Sequence, residues 1–254
     1  MRAYVAFFAK EIVESIRTYK SFVLLIIFLI FGFMNPLMAK FMPELVSSLG
    51  GEQLGLAIPE PAGIDSWTQF FKNITQLGLV VMIIMFSGIL TRELNKGTLV
   101  NLLTKGLSRA TVVLAKLMLL VCVWTLAYVL CALITFGYTL YFFSDSGIVH
   151  LFFSLLALWL FGVLLLCVLM LAGTLFSSNY MCLLSVGVFV VALTAISIIP
   201  AVEECNPLSL ATMSTALLSG SAAPGDFLPA IIISAGLTMA CAALSIVLFR
   251  KRAL

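Results

Sequence analysis

Six long apolar runs constrain this chain more than any other feature. They fall at about 21–39, 73–91, 114–142, 151–176, 181–200 and 228–249, and none contains an Asp or a Glu. The one charge inside them is Lys116, near the start of the third. A helix needs about 20 apolar residues to cross roughly 30 Å of hydrocarbon, and each run is close to that length or longer. Lipid leaves no backbone group unpaired, so runs of this kind become helices. With a mean hydropathy of +1.20 and 10% charged residues, the chain has too little polar surface to wrap a soluble globule. The expectation is an all-α polytopic membrane protein. Its single six-span domain covers 21–254. The third run exceeds what a perpendicular span requires, so it tilts or protrudes.

The polar segments between the runs have their own patterns. In residues 1–20, Val5, Phe8, Ile12, Ile16 and Tyr19 recur at three and four residues, while Lys10, Glu11, Glu14 and Arg17 fill the opposite side. Such a helix lies in the membrane interface. The leader is long, Gly32 and Pro36 interrupt the run after it, and no A-x-A site follows. It therefore reads as leading into a retained first span rather than a cleaved signal. Residues 40–66 form the largest polar loop. After it, 64–72 predicts an interfacial helix with Asp65 or Ser66 as cap and Trp67, Phe70 and Phe71 at headgroup level.

Charge sets the orientation. With an even number of spans and the N-terminus inside, twelve of the fourteen basic residues lie inside and only Lys40 and Lys72 outside. Of the eleven acids, only Glu11, Glu14 and Glu93 are inside. Basic residues mark the cytoplasmic side, so both termini are expected in the cytosol and the protein in the plasma (cytoplasmic) membrane.

Several chemistries lack parts. The single histidine, His150, stands at the outer end of the fourth run, and neither H-E-x-x-H, G-x-S-x-G nor a phosphate-binding G-x-x-x-x-G-K-[ST] loop occurs. Glu203 and Glu204 read as a solvated outer cluster rather than the start of a glutamate-pair protease motif. No ionisable residue stands near mid-span, which argues against a proton- or ion-coupled carrier. The six cysteines show no metal-ligand spacing, and five lie in or beside apolar runs, as small buried hydrophobes do. No catalytic residue, metal or cofactor is expected on this chain. Nucleic acid is not an expected partner, because there is no soluble basic face to meet it.

One stretch departs from the rest. Residues 91–116, TRELNKGTLVNLLTKGLSRATVVLAK, carry Arg92, Lys96, Lys105, Arg109 and Lys116 with a single acid, Glu93. After Gly97, Thr98 can cap a short helix whose Leu99, Leu102 and Leu103 share a face. Gly106 ends it, and Ser108 can cap the third span. The result is a helix below the membrane with an apolar knob and a basic rim, suited to docking in a groove of a partner. A scaffold or sensor that holds a cytosolic partner would use it equally well.

The order of Glu93, Lys96, Gly97, Thr98, Leu99, Leu102, Leu103, Thr104, Lys105, Ser108, Arg109 and Lys116 closely resembles the loop between spans two and three in permeases of the type-2 ABC transporter family. Gly106 departs from relatives that often have proline there, but keeps the helix break. The leader resembles the family's elbow helix, and 206–220 its outer segment before the last span, which often re-enters the membrane.

The resemblance implies that 92–113 is a coupling loop resting on a cytosolic ATPase. Glu93 would be held by Arg92, Lys96 or a partner's base, and Leu99, Leu102 and Leu103 would form the docking face. The implied assembly has two permease subunits, identical or similar, above two ATPase subunits that carry the ATP and Mg. It exports a peptide, lipid-like or drug-like amphiphile. Gln76, Ser87, Thr194 and Ser197 are the polar candidates for its pathway.

Overall fold

The computed structural model describes residues 2–48, 61–95, 97–99, 104, 106–143, 148–199 and 204–252, and among them every regular element is helical. In chain order these are α1 (Arg2–Arg17), α2 (Lys20–Ser48), α3 (Gly63–Asn73), a π-helical turn at Ile74–Gly78, α4 (Leu79–Phe86) and α5 (Thr91–Asn95). Then follow α6 (Arg109–Phe142), α7 (Leu151–Leu175), α8 (Asn179–Ser197), the short α9 (Ser209–Thr212) and α10 (Ser214–Leu218), and α11 (Leu228–Lys251). Among the described residues, six helical stretches are long and apolar enough to cross a membrane.

The first two spans begin or end away from the expected limits. Span one continues helically to Ser48 through Pro36 and Pro43, into what reads as loop in the sequence. Proline in a helix frees the carbonyl four residues back. Here that group, Gly32 O, accepts a hydrogen bond from Thr135 Oγ1 at 3.3 Å, so the helix runs on with its polar groups paired. Asn35, fully buried, extends the link. It accepts from Asn73 Nδ2 at 2.8 Å and donates to Thr135 Oγ1 at 3.4 Å, joining α2, α3 and α6. Gly32 permits the approach, since a Cβ there would lie 2.9 Å from Ile134 Cβ.

Span two starts ten residues early. The predicted interfacial helix is α3, continuous through the π turn with α4, and the span covers Gly63–Asn95. Its aromatic face is buried in protein: Trp67, Phe70 and Phe71 are all nearly inaccessible, and Phe70 stacks edge-on to Tyr128 of α6. Aromatics at three- and four-residue spacing signal an interface belt and a packed face alike, so sequence could not separate them. Asp65 is not the cap residue; it stands in the first turn and its carboxylate accepts from Ala62 N at 2.9 Å.

Burial is uneven across the spans. The most apolar stretch of α7 is 72% buried, against 17% in α8 and 11% in α11. α7 is therefore the pillar of the bundle, with α6, α8, α9, α10 and α11 packed on it, while α6 also holds α1 and α2. At Gly162 of α7 a Cβ would fall 2.4 Å from Trp124 Cζ2. The missing side chain lets the indole lie flat on α7 and donate to Trp159 O at 3.2 Å. The 206–220 segment folds back as α9 and α10 onto α7, and α10 also meets α3.

Candidate functional site

The charges at one end of the bundle converge on Lys116. Its ammonium is buried, with 1% of the side chain exposed, and lies 2.8 Å from both Glu11 Oε2 and Glu93 Oε2. The geometry to Glu11 is that of a hydrogen bond. The contact with Glu93 Oε2 is off-angle, and that oxygen has no well-aligned donor, so this half of the pairing is chiefly coulombic. Lys10 closes the ring, 3.1 Å from Glu11 Oε1 and 2.8 Å from Glu93 Oε1, and also contacts Glu14. Three elements meet in one network: α1 through Lys10 and Glu11, α5 through Glu93, and α6 through Lys116.

Local sequence explains why the charges turn inward. On α1 the exposed apolar stripe (Val5, Ile12, Ile16) faces away from the bundle, and Phe7, Glu11 and Ser15, four residues apart, face α6. Glu11 thus belongs to the packed side of its helix and not to a solvated one. Burying a charge is costly unless it is paired, and both bases supply that pairing. Burial opposes the charge on Lys10. Hydrogen bonds to Glu14 and Glu93, with the charges of Glu93 and Glu11, outweigh it and hold this lysine above its ordinary pKa. The carboxylates of Glu11, Glu14 and Glu93 lie within 4.8 Å of one another, a spacing that could suit a cation. Two ammonium groups already fill that role.

The stretch from Thr91 to Ser108 hangs from this network. α5 ends at Asn95, and Gly97 turns the chain at φ +67°. Thr98 is helical, and its hydroxyl donates back to Glu93 O at 3.3 Å; the residues it would cap lie outside the described ones. Leu99 is fully buried within this chain. It packs into the core of its own subunit. Glu93 likewise is held by Lys10 and Lys116, not by Arg92. Lys96, Leu102, Leu103 and Lys105 lie outside the described residues.

At the far end of the loop Gly106 turns at φ +93°. Ser108 then caps α6, its Oγ accepting from Thr111 N at 3.1 Å. Arg109 is engaged inside the subunit, donating to Phe249 O at 3.1 Å and Arg250 O at 3.0 Å, and to Arg252 O. It thereby caps the carbonyl end of α11. Arg252 in turn donates to Thr174 O at 2.8 Å and Ser177 Oγ at 2.6 Å, capping α7. Cations at helix C-termini are favourable, and here two arginines tie α6 to α11 and α11 to α7. Asn95 Nδ2 donates to Ser177 O at 3.0 Å, and Thr91 bonds Asn179, which links α5 to the turn before α8.

The four pathway candidates stand on the second and fifth spans. Ser87 is buried and donates to Ile84 O at 3.0 Å. Gln76 is exposed on the π turn, which packs on α3 and α4, while Thr194 and Ser197 stand on α8, which packs on α7. The hydroxyls of Thr194 and Ser197 bond within their own helix.

Sequence reasoning missed Lys10, Glu11 and Lys116 as a unit. The signal was present: Lys116 is the single charge in the six apolar runs. A lone charge inside a span demands a partner, and the acids on its side of the bundle are few.

Residues 5–254 match the family model of the ABC-2 family transporter proteins. The chain belongs to that family. It is accordingly a membrane-embedded permease of an ABC transporter. The family's permeases are typically non-catalytic membrane subunits that work with an ABC ATPase. Neither curated proteins nor solved structures yield a match.

Proposed function

We propose that this chain is the transmembrane subunit of an ATP-driven exporter, acting as a pair above two separate ATPase subunits that bind the ATP and Mg. The second permease subunit is identical or similar, and the cargo is a peptide, lipid-like or drug-like amphiphile. Both termini face the cytosol of a plasma membrane, as the distribution of basic residues favours. The ATPase meets the loop between Glu93 and Ser108, with Lys96, Gly97, Thr98, Leu102, Leu103 and Lys105 at or near the contact.

The observation that carries this reading is the way both stems of the loop are fixed. One is clamped through Glu93 to α1 and α6, and the other is the capped start of α6. α6 has 34 residues, a lever about 50 Å long at 1.5 Å per residue. A push on the loop therefore reaches the whole depth of the bundle instead of being absorbed in a slack connection.

Leu102→Asp tests it. If Leu102 seats in the ATPase, losing its burial costs about 1.5–3 kcal/mol, and a stranded carboxylate costs more. A loss of about 3 kcal/mol weakens assembly roughly a hundredfold. The variant should reach the membrane normally, lose its ATPase during purification and fail to transport, while Leu102→Met behaves like the parent. An Asp variant that retains its ATPase and transports at the parental rate would overturn the docking site.

A further inference from the structure

We propose that the groove between α3, α6 and α7 holds one acyl chain of a bilayer phospholipid. This cavity of about 550 Å³ has Trp67 and Tyr128 at its floor, Ala132 and Phe136 on the α6 side, and Leu155 and Trp159 on the α7 side. Its lining turns almost only carbon toward the space, and the polar atoms of Tyr128, Trp159 and Thr125 are already paired. Tyr128 Oη donates to Leu155 O at 2.9 Å, Trp159 Nε1 to Thr125 Oγ1 at 3.0 Å, and Thr125 Oγ1 to Val121 O at 2.7 Å. A polar ligand would find no partner here, and its own polar groups would be buried unpaired at a cost. An aliphatic chain loses nothing.

Position and size narrow the occupant further. The groove uses the second half of α6 and the first turns of α7, the end of the bundle opposite Lys116. Thr125 is nine residues beyond Lys116 on α6, about 14 Å along the axis, so the groove opens at hydrocarbon depth. At about 30 Å³ per methylene, close to the share of one water in the liquid, the space takes about eighteen carbons, the length of one acyl chain. A helix about 10–12 Å across fills roughly 500 Å³ per turn. The same groove would seat only a single turn of a second copy's span. The least covered spans, α8 and α11, offer such a copy far more surface. The inference rests on membrane residence alone and not on the proposed transport.

The chain's three tryptophans make a built-in probe. Trp67 and Trp159 line the groove, and Trp124 stacks on Tyr128 behind it at 5.2 Å between ring centroids. Purified protein in detergent is titrated with phosphatidylcholine brominated on its acyl chains, with no ATPase or nucleotide present. We expect quenching that saturates near one lipid per chain and is reversed by unbrominated phosphatidylcholine. Ala132→Phe, which fills the groove, should abolish the saturable part while leaving a monodisperse protein. Leu184→Phe on the exposed face of α8 should not. Quenching that rises in proportion to the brominated fraction without saturating, or that is unchanged in Ala132→Phe, would mean that bulk lipid merely bathes the surface. Disulfide-linked dimers through a cysteine at position 132 would assign the groove to a second copy and also overturn the proposal. None of these outcomes touches the docking of an ATPase at Leu102, so the two readings fail separately.

Discussion

Replacing Lys116 by methionine removes the only cation that touches both Glu11 and Glu93 from within α6. The methionine is close in length and leaves no large void, so the effect is electrostatic. Two buried carboxylates are left with Lys10, whose side chain is 41% exposed and which also serves Glu14. Breaking a buried ion pair by removing one partner costs about 3–5 kcal/mol, because the other charge stays in low dielectric. Lys10 remains near both acids, which places the expected loss toward the lower end of that range. The double variant Lys116→Met, Glu11→Gln removes one charge of each sign and leaves Lys10 facing Glu14 and Glu93. It should recover about 1–3 kcal/mol of the loss, a coupling of the size seen for contacting residues. Reversible unfolding in mixed micelles of mild detergent and dodecyl sulfate, followed for all four corners of the cycle, measures this directly. If the single variant loses less than about 1 kcal/mol, or if the two substitutions simply add, the network is not a buried charge balance. The clamp would then have to be ascribed to packing alone.

Three further outcomes follow from other contacts. Gly162→Ala forces Trp124 off α7 and breaks its bond to Trp159 O; it should destabilise by about 1–3 kcal/mol and shift tryptophan emission, and a silent variant would show the contact to be loose. Lys10 has its folded pKa raised, so its contribution is fully present below the unfolded value near 10.4 and is lost only as pH climbs through the higher folded value. The stability difference between wild type and Lys10→Met should therefore stay flat from about pH 6 to 9 and shrink only above about pH 10; a decline near neutrality would contradict the assignment. Cys205 should react with a membrane-impermeant maleimide on intact cells while a cysteine placed at Lys96 does not, and the reverse pattern would invert the topology.

Much of this architecture is readable in the sequence because lipid imposes simple rules. Six apolar runs must be helices, and a serine before a long apolar run caps it, as Ser108 does. What escaped was pairing across distance. Asn35 sits inside an apolar run beside a proline, and nothing local tells that its partners are Asn73 and Thr135, or that Thr135 will take the carbonyl freed by Pro36. Glu11 reads as part of a polar face because helical periodicity gives the faces but not what each face meets. Leu99 is a second case. Three leucines on one face fit either a partner's groove or the subunit's own core, and Leu99 took the core. At the site, the type of each residue was legible from its order in the loop, whereas the identity of the base that holds Glu93 was not. That base came from helices 83 positions before it and 23 after.

The two ends of the bundle are held together by different forces, and the difference bears on how motion passes through it. At the Lys116 end the ties are ionic or charge-assisted: the four-residue ring of Lys10, Glu11, Glu93 and Lys116, and the arginine caps on α7 and α11. At the other end the links among Asn35, Asn73 and Thr135 are neutral amide and hydroxyl bonds, beside a cation–π contact of Lys40 with Phe142. Charge-assisted bonds are roughly twice as strong as neutral ones, and pulling one apart in a low dielectric strands both partners. The Lys116 end therefore moves as a block, with α1, α5 and the start of α6 displaced together. Among the described residues of the stretch from Thr91 to Ser108, the backbone turns at Gly97 and Gly106, its two positive-φ glycines. The far end, with its proline-interrupted α2 and π turn, is joined through these weaker neutral links. A force applied at the loop would thus keep the near end rigid and open the far one. This is the mechanical arrangement a subunit needs if it is driven from below and releases its cargo above.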